Sequence, residues 1–216
     1  MTVRMTTLSV ATLIASTATI ATADFQGFSV ETSDSGMGLG TTYKIYANVD
    51  GGNQLNAVYG DGSVTLDVHV VNGSFYQNAF GGNTSTAINP ALYAVFPSLV
   101  YDSWVTIGLE DQVGNALNNI GIDWSAFQGG GAIVTSDGSW FATPDDAQVY
   151  EVGGRVMIGQ FTTTGDGVEG MINMQGKEAD GTTNWNAIGA YFNTVPSPAA
   201  MVLLGIAGLV GCTRRR

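Results

Sequence analysis

Cysteine and histidine are almost missing from this chain of 216 residues. Cys212 has no second cysteine with which to form a disulfide, so the fold must rest on its hydrophobic core or on bound ions. Zinc needs several Cys or His ligands, and the body of the chain offers only His69. No G-x-S-x-G motif accompanies His69, which argues against a Ser-His-Asp triad. We therefore expect neither catalytic residues nor metal ligands.

Basic residues are also scarce between the two ends of the sequence. Lys44, Arg155 and Lys177 are the basic residues between positions 24 and 195, whereas all 18 acidic residues lie there, which gives this body a net charge of −15. Such a surface repels phosphate backbones, so nucleic-acid binding is excluded. The same charge favours solubility and attracts divalent cations.

Patterns typical of long helices are lacking, and the 30 glycines argue against helices. Strands are predicted where apolar and polar residues alternate, at 42–49, 64–70 and 105–109. Segments 155–162 and 168–174 are interpreted as a hairpin around Gly165-Asp166-Gly167. Period-two alternation with frequent turn residues predicts an antiparallel β-sandwich or jelly-roll-like body. We expect one all-β domain over residues 24–194, without a helix longer than two turns.

The first 23 residues have the order of a secretory signal peptide. Arg4 is followed by an apolar segment over 8–20, and Ala21-Thr22-Ala23 precedes Asp24. A small-x-small triplet before an acidic residue is a typical leader-peptidase site. We predict a signal helix within residues 1–23 and cleavage between the triplet and Asp24.

The last 22 residues form a three-part tail. Val195-Pro196-Ser197-Pro198 comes first, and its prolines prevent a continuous helix. An uncharged segment over 199–212, with Leu203, Leu204 and Leu209, then leads to Arg214-Arg215-Arg216. Fourteen helical residues reach only ~21 Å against a hydrocarbon core of ~30 Å, so this helix is a marginal membrane span. The arginines hold its end on the cytoplasmic side, which suits temporary retention before processing.

This tail resembles the PEP-CTERM sorting domain of bacterial envelope proteins. The resemblance rests on Val195-Pro196-Ser197-Pro198-Ala199, the Leu/Gly/Ala helix and the closing arginines, and it covers residues 195–216. Ser197 stands where the family has Glu, and this difference leaves open which exosortase subtype recognises the motif. The resemblance implies that an exosortase, a membrane cysteine protease, cuts near the Pro-x-Pro motif and passes the body to the cell surface or extracellular matrix.

Within the body, the stretch between Asp67 and Asp102 contains no Asp, Glu, Lys or Arg. Its aromatic residues include Phe75, Tyr76, Phe80, Tyr93, Phe96 and Tyr101. The main expectation is core strands with an ordered loop, and the alternative is an exposed aromatic platform for sugars. Trp104 and Trp140 are expected to pack in the core or at its rim.

The acidic residues leave two chemical alternatives open. Glycoside hydrolysis needs paired carboxylates in a cleft, and the candidates are Asp102, Glu110, Asp111, Asp123, Asp145, Asp146, Glu151 and Glu169. Calcium prefers hard oxygen ligands on turns. Asp145-Asp146 with Glu151, and Asp50-Gly51-Gly52-Asn53, offer such ligands. The main expectation is solvated turn carboxylates without a cofactor.

Both terminal patterns predict an exported, acidic and non-catalytic protein of the cell surface or extracellular matrix, transiently anchored in the inner membrane. Signal peptidase and an exosortase are the expected processing partners, and the C-terminal helix is the expected membrane contact. The alternative is a lectin-like module that binds extracellular polysaccharide, with or without calcium.

Overall fold

The computed structural model describes residues 24–196. Its strands are β1 (Phe25–Asp34), β2 (Thr41–Val49), β3 (Gln54–Gly60), β4 (Leu66–Val71), β5 (Trp104–Val105), β6 (Asn118–Ile120), β7 (Ile133–Thr135), β8 (Gly138–Phe141), β9 (Arg155–Thr163), β10 (Gly167–Lys177) and β11 (Asn184–Asn193). The single α-helix in this range is α1 (Ser125–Gln128), and four 3-10 turns span Ser85–Ala87, Pro90–Leu92, Pro97–Tyr101 and Ala147–Val149. The expectation that no helix exceeds two turns is confirmed for residues 24–196. No helix in this range is long and apolar enough to cross a membrane.

The strands form two sheets. Sheet A has the order β1-β2-β9-β5, and sheet B has the order β6-β8-β3-β10-β4-β7, with β11 also paired to β10. The named strands pair antiparallel throughout. β10 is the centre of sheet B, because β3 and β4 follow one another along one of its edges while β11 lies along the other. The predicted all-β sandwich is confirmed at this level.

Alternating side chains of β2 build the core between the sheets. Tyr43, Ile45, Ala47 and Val49 are buried there, as the period-two pattern predicted. Aromatic side chains fill much of the remaining volume: Phe75, Phe127 and Phe161 pack with ring centroids 5.2 to 6.5 Å apart. This apolar core stabilises a body without disulfides.

Two of the strand predictions are wrong in extent. Of the third predicted strand, 105–109, only Val105 lies in a strand, where β5 pairs with β9, although Ile107 is also fully buried. Val64 precedes β4 and lies in a bend, whereas Leu66 and Val68 are buried in that strand as expected. Burial without strand geometry explains the first difference, since an apolar residue such as Ile107 in an ordered loop also faces the core.

The predicted late hairpin is wrong in its pairing. β9 and β10 are consecutive strands, but β9 pairs with β2 and β5 in sheet A, and β10 pairs with β3, β4 and β11 in sheet B. The Gly165-Asp166-Gly167 turn therefore carries the chain from one sheet to the other. Periodicity identifies both strands, but it does not identify their partners.

Residues 72–103, here called the cap, cover the face of sheet A that points away from sheet B. Ile88 and Leu99 of the cap pack on Tyr46 of β2 and Met157 of β9, forming a second apolar cluster. The buried Gln160 side chain of β9 donates to the carbonyls of Val100 and Asp102, which fixes the C-terminal end of the cap. The central strands β2 and β9 of sheet A are therefore packed on both faces.

Candidate functional site

The predicted signal-cleavage point lies directly before the first strand. Asp24 precedes β1 at Phe25, and its carbonyl accepts from the backbone N–H of Asp50 at 3.2 Å. The carboxylate of Asp24 also accepts from the side-chain amide of Asn53 at 3.3 Å. Asp24 thus belongs to the folded body by its contacts.

The predicted sorting motif begins directly after the last strand. Beyond β11, the backbone N–H of Thr194 donates to the Val168 carbonyl at 2.9 Å, and the Thr194 hydroxyl accepts from the Val168 N–H at 2.7 Å. The N–H of Val195 donates to the Asn193 side chain at 2.6 Å. Pro196 follows, so the last contacts of the described residues directly precede the Pro-x-Pro part of the predicted motif. The other predicted processing and membrane residues lie outside the described range: Ala21, Ala23, Ser197, Pro198, Leu203, Leu204, Leu209, Arg214, Arg215 and Arg216.

The two calcium candidates meet at Glu151 and Gly52, where the candidate oxygens accept hydrogen bonds from the protein. The Glu151 carboxylate accepts from the backbone N–H groups of Gly154 and Gly52, and these bonds lower its pKa. Asn53 accepts from the Ala179 N–H at 2.9 Å. Within residues 24–196 no group of three His, Cys, Asp or Glu side chains is placed to hold a metal ion.

The candidate glycosidase carboxylates are spread over the fold. Asp111, Asp123 and Asp146 accept backbone N–H groups within their own turns, Glu110 pairs with Lys44, and Glu169 accepts from Asn193. These contacts are typical of turns and surface ion pairs.

His69 lies on the outer face of sheet B between two carboxylates. Its Nδ1 is 2.9 Å from Asp67 on the same strand, and its Nε2 is 3.8 Å from Glu169 on β10. Glu169 and His69 are register partners, which the sequence did not reveal. Exposed Met171 and Tyr191 border the same depression.

Three of the four tryptophans are buried. Trp104 and Trp140 are in the core, as expected, and Trp140 donates to the Thr106 carbonyl at 3.0 Å. Trp185 donates to the Gln54 carbonyl at 3.0 Å. None of these three rings offers a face to a sugar.

A fully buried carboxylate, that of Asp102, lies near the C-terminal end of the cap. Asp102 is 0% exposed, and its oxygens accept from the backbone N–H groups of Asn78 at 2.6 Å and Gly82 at 3.0 Å. Burial raises the pKa of Asp102 to about 6, while N–H groups of Asn78, Gly82 and Ser103 oppose that rise. Gly81 is required here, because a Cβ at that position would lie 1.7 Å from the Asp102 carboxylate.

This carboxylate organises an exposed aromatic residue. The Asn78 side chain accepts from the N–H of Phe80 and donates to the Tyr76 and Ser98 hydroxyls. Phe80 stacks on Phe96 with ring centroids 3.8 Å apart and planes 19° apart, yet it remains 50% exposed. One ring face of Phe80 is thus packed, and the residue is held by a rigid loop. The pair Phe80 and Phe96 is called the aromatic platform below.

An open groove with a polar lining lies on sheet B. It has a volume of about 450 Å³ and is lined by Phe141, Lys177 and the side-chain amides of Asn56, Gln175, Asn184 and Asn186. No carboxylate lines it. The groove lies on the outer face of sheet B, whereas the aromatic platform covers sheet A.

Sequence reasoning identified Phe80 and Phe96 as candidates, but it missed Asp102 as their anchor. The N–H groups that donate to Asp102 belong to residues 20 to 24 positions away, so strand periodicity around Asp102 does not predict these bonds. The Gly81-Gly82 pair was the available signal, since adjacent glycines permit close backbone approach.

Fold and surface together define an acidic, all-β sandwich domain with a rigid aromatic platform on a cap. None of the protein-family models, curated proteins or solved structures compared with this chain matches it.

Proposed function

We propose that the chain is an exported, non-catalytic protein of the cell surface or extracellular matrix, processed at its C-terminus by an exosortase. One observation carries this proposal: among the described residues, 24–196, the first and last strands lie directly inside the two processing points that the sequence predicts. β1 begins at Phe25 and β11 ends at Asn193.

The contacts at these ends explain why processing is compatible with the fold. Cleavage before Asp24 leaves its bonds to Asp50 and Asn53 intact. Cleavage within or after the Pro-x-Pro motif leaves the paired bonds between Thr194 and Val168 intact. Both cuts therefore preserve these bonds at the two ends of the described residues, 24–196.

The proposal includes a jelly-roll-like body, a signal helix over the first 23 residues and a short membrane helix after Pro198. Signal peptidase and an exosortase are its processing partners, and the inner membrane holds the tail transiently. The body charge of −15 argues against nucleic acid as a partner. No cofactor is part of the proposal.

Intact-mass analysis tests this assignment directly. The chain is expressed in a bacterium that carries an exosortase, with a peptide tag inserted between Val113 and Gly114, an exposed turn with open space around it. The expected mature mass lacks residues 1–23 and the apolar tail. Replacing both Pro196 and Pro198 with Ala should block the second cut, whereas Pro144→Ala should not. Mature protein that retains both termini contradicts the proposal.

Carbohydrate binding by the body is a second candidate function. It is favoured by the half-exposed Phe80 ring, which stacks on Phe96 and is bonded through Asn78 to the buried Asp102.

A further inference from the structure

We infer that the aromatic platform is a calcium-independent binding site for a neutral polysaccharide. The site consists of the open face of Phe80, backed by Phe96 and held by Asn78 and Asp102. This inference rests on the carbohydrate-binding function proposed above and names its site and ligand class. It depends on export only because the polysaccharide lies outside the cell.

Rigidity is the first argument. Placing Asp102 in a fully buried position costs desolvation free energy, which its pKa reflects. The hydrogen bonds that Asp102 accepts hold the loop from Asn78 to Gly82, and this loop carries the exposed Phe80 ring. A binding residue that is already ordered loses little entropy when the ligand arrives.

The ring geometry is the second argument. Phe96 covers one face of Phe80 at 3.8 Å, so the exposed half of the ring presents its remaining surface to solvent. The face of an aromatic ring carries partial negative charge, and the C–H face of a pyranose carries partial positive charge. A sugar ring can therefore lie flat on Phe80.

Size argues against a protein partner. Half of a Phe side chain corresponds to about 100 Å², because an aromatic residue buries roughly 200 Å² in full. Val95 and Val100, next to Phe96 along the cap, are 68% and 41% exposed and add a similar amount. A stable protein interface takes ~800 Å² from each partner. One ring with two small neighbours matches a few sugar units instead.

Charge selects a neutral polymer. The chain carries no Asp, Glu, Lys or Arg from Val68 to Tyr101, so the platform itself offers no ion pair. The rest of the body carries a net charge of −15, which repels uronic-acid polymers. The carboxylate oxygens of Asp102 are buried and bonded to backbone N–H groups, so they do not offer a calcium ligand at the surface.

Binding is measured with the purified full-length chain by depletion onto insoluble cellulose and curdlan, two neutral glucans, with soluble alginate as the anionic comparator. Phe80→Ala should weaken binding at least tenfold, and Phe80→Trp should retain it. Phe141→Ala, in the groove of sheet B, and Val152→Ala, which truncates an 81% exposed side chain elsewhere, should leave it unchanged. Thermal unfolding of each variant checks that its fold is intact.

Several outcomes overturn the inference. These are no depletion onto either neutral glucan, equal binding by the Phe80→Ala variant, loss of binding through Phe141→Ala alone, preference for alginate, and loss of binding in EDTA. Because the assay uses purified protein, its failure leaves the processing proposal standing, and failed processing leaves this result unaffected.

Discussion

Asp102→Asn is expected to remove a component of the pH dependence of stability between pH 4 and 7. In the folded protein the pKa of Asp102 is raised from 3.8 to about 6, chiefly by burial. A rise of about two pKa units corresponds to about 3 kcal/mol of unfolding free energy. That magnitude is a large part of the stability of a typical domain.

The direction follows from proton linkage. Because the folded-state pKa exceeds the unfolded one, the folded state binds more protons between pH 4 and 6. The contribution of Asp102 is therefore fully present below pH 4 and is lost as the pH rises through 6. Carboxylates with lowered pKa values, such as Asp61, change the unfolding free energy with pH in the opposite direction. They are identical in wild type and in the Asp102→Asn variant, so their contributions cancel when the two unfolding free energies are subtracted.

The assay is urea unfolding of wild type and the Asp102→Asn variant at pH 4, 5, 6 and 7 and constant ionic strength. The Asn amide places N–H donors against the N–H groups of Asn78 or Gly82, which costs about 1–3 kcal/mol at every pH. In addition to this pH-independent cost, the unfolding free energy of the variant should rise by about 3 kcal/mol relative to that of wild type between pH 4 and 7. Val152→Ala, which truncates an exposed side chain without a titratable group, should show no such trend. A flat difference for Asp102→Asn, or one of opposite sign, refutes the reasoning.

Three further substitutions, one of them with a matched control, test the packing and a surface ion pair. Gly176→Ala should lower the unfolding free energy by about 2 kcal/mol or more, because its Cβ would lie 1.8 Å from the Gln54 carbonyl oxygen and 2.7 Å from the Trp185 ring. The control Gly62→Ala, which has open space around it, should change the unfolding free energy by less than about 1 kcal/mol. Phe127→Ala removes a fully buried ring and should cost about 3–5 kcal/mol in urea unfolding. Arg155→Ala breaks a partly exposed ion pair and should cost about 1 kcal/mol or less, and less still in 1 M salt.

Local patterns predicted the elements whose determinants are local. The alternation of Tyr43, Ile45, Ala47 and Val49 identified β2 and its inward face, because side chains on a strand point alternately to its two sides. Segments 155–162 and 168–174 likewise became β9 and β10. Where an ordered loop is buried, as at Ile107, the same apolar signal occurs without a strand.

Composition and strand periodicity predicted the acidic charge, the antiparallel β class and the positions of β2, β4, β9 and β10, but not those of β1, β3 and β11. Only the tertiary structure decided that β9 and β10 belong to different sheets, and that Asp102 holds the loop of Phe80. The physical reason is that strand periodicity records which side chains are buried, whereas pairing and burial of a lone carboxylate depend on residues far away in the chain. The bonds of Asp102 and Gln160, which span 20 to 60 positions, are of this second kind.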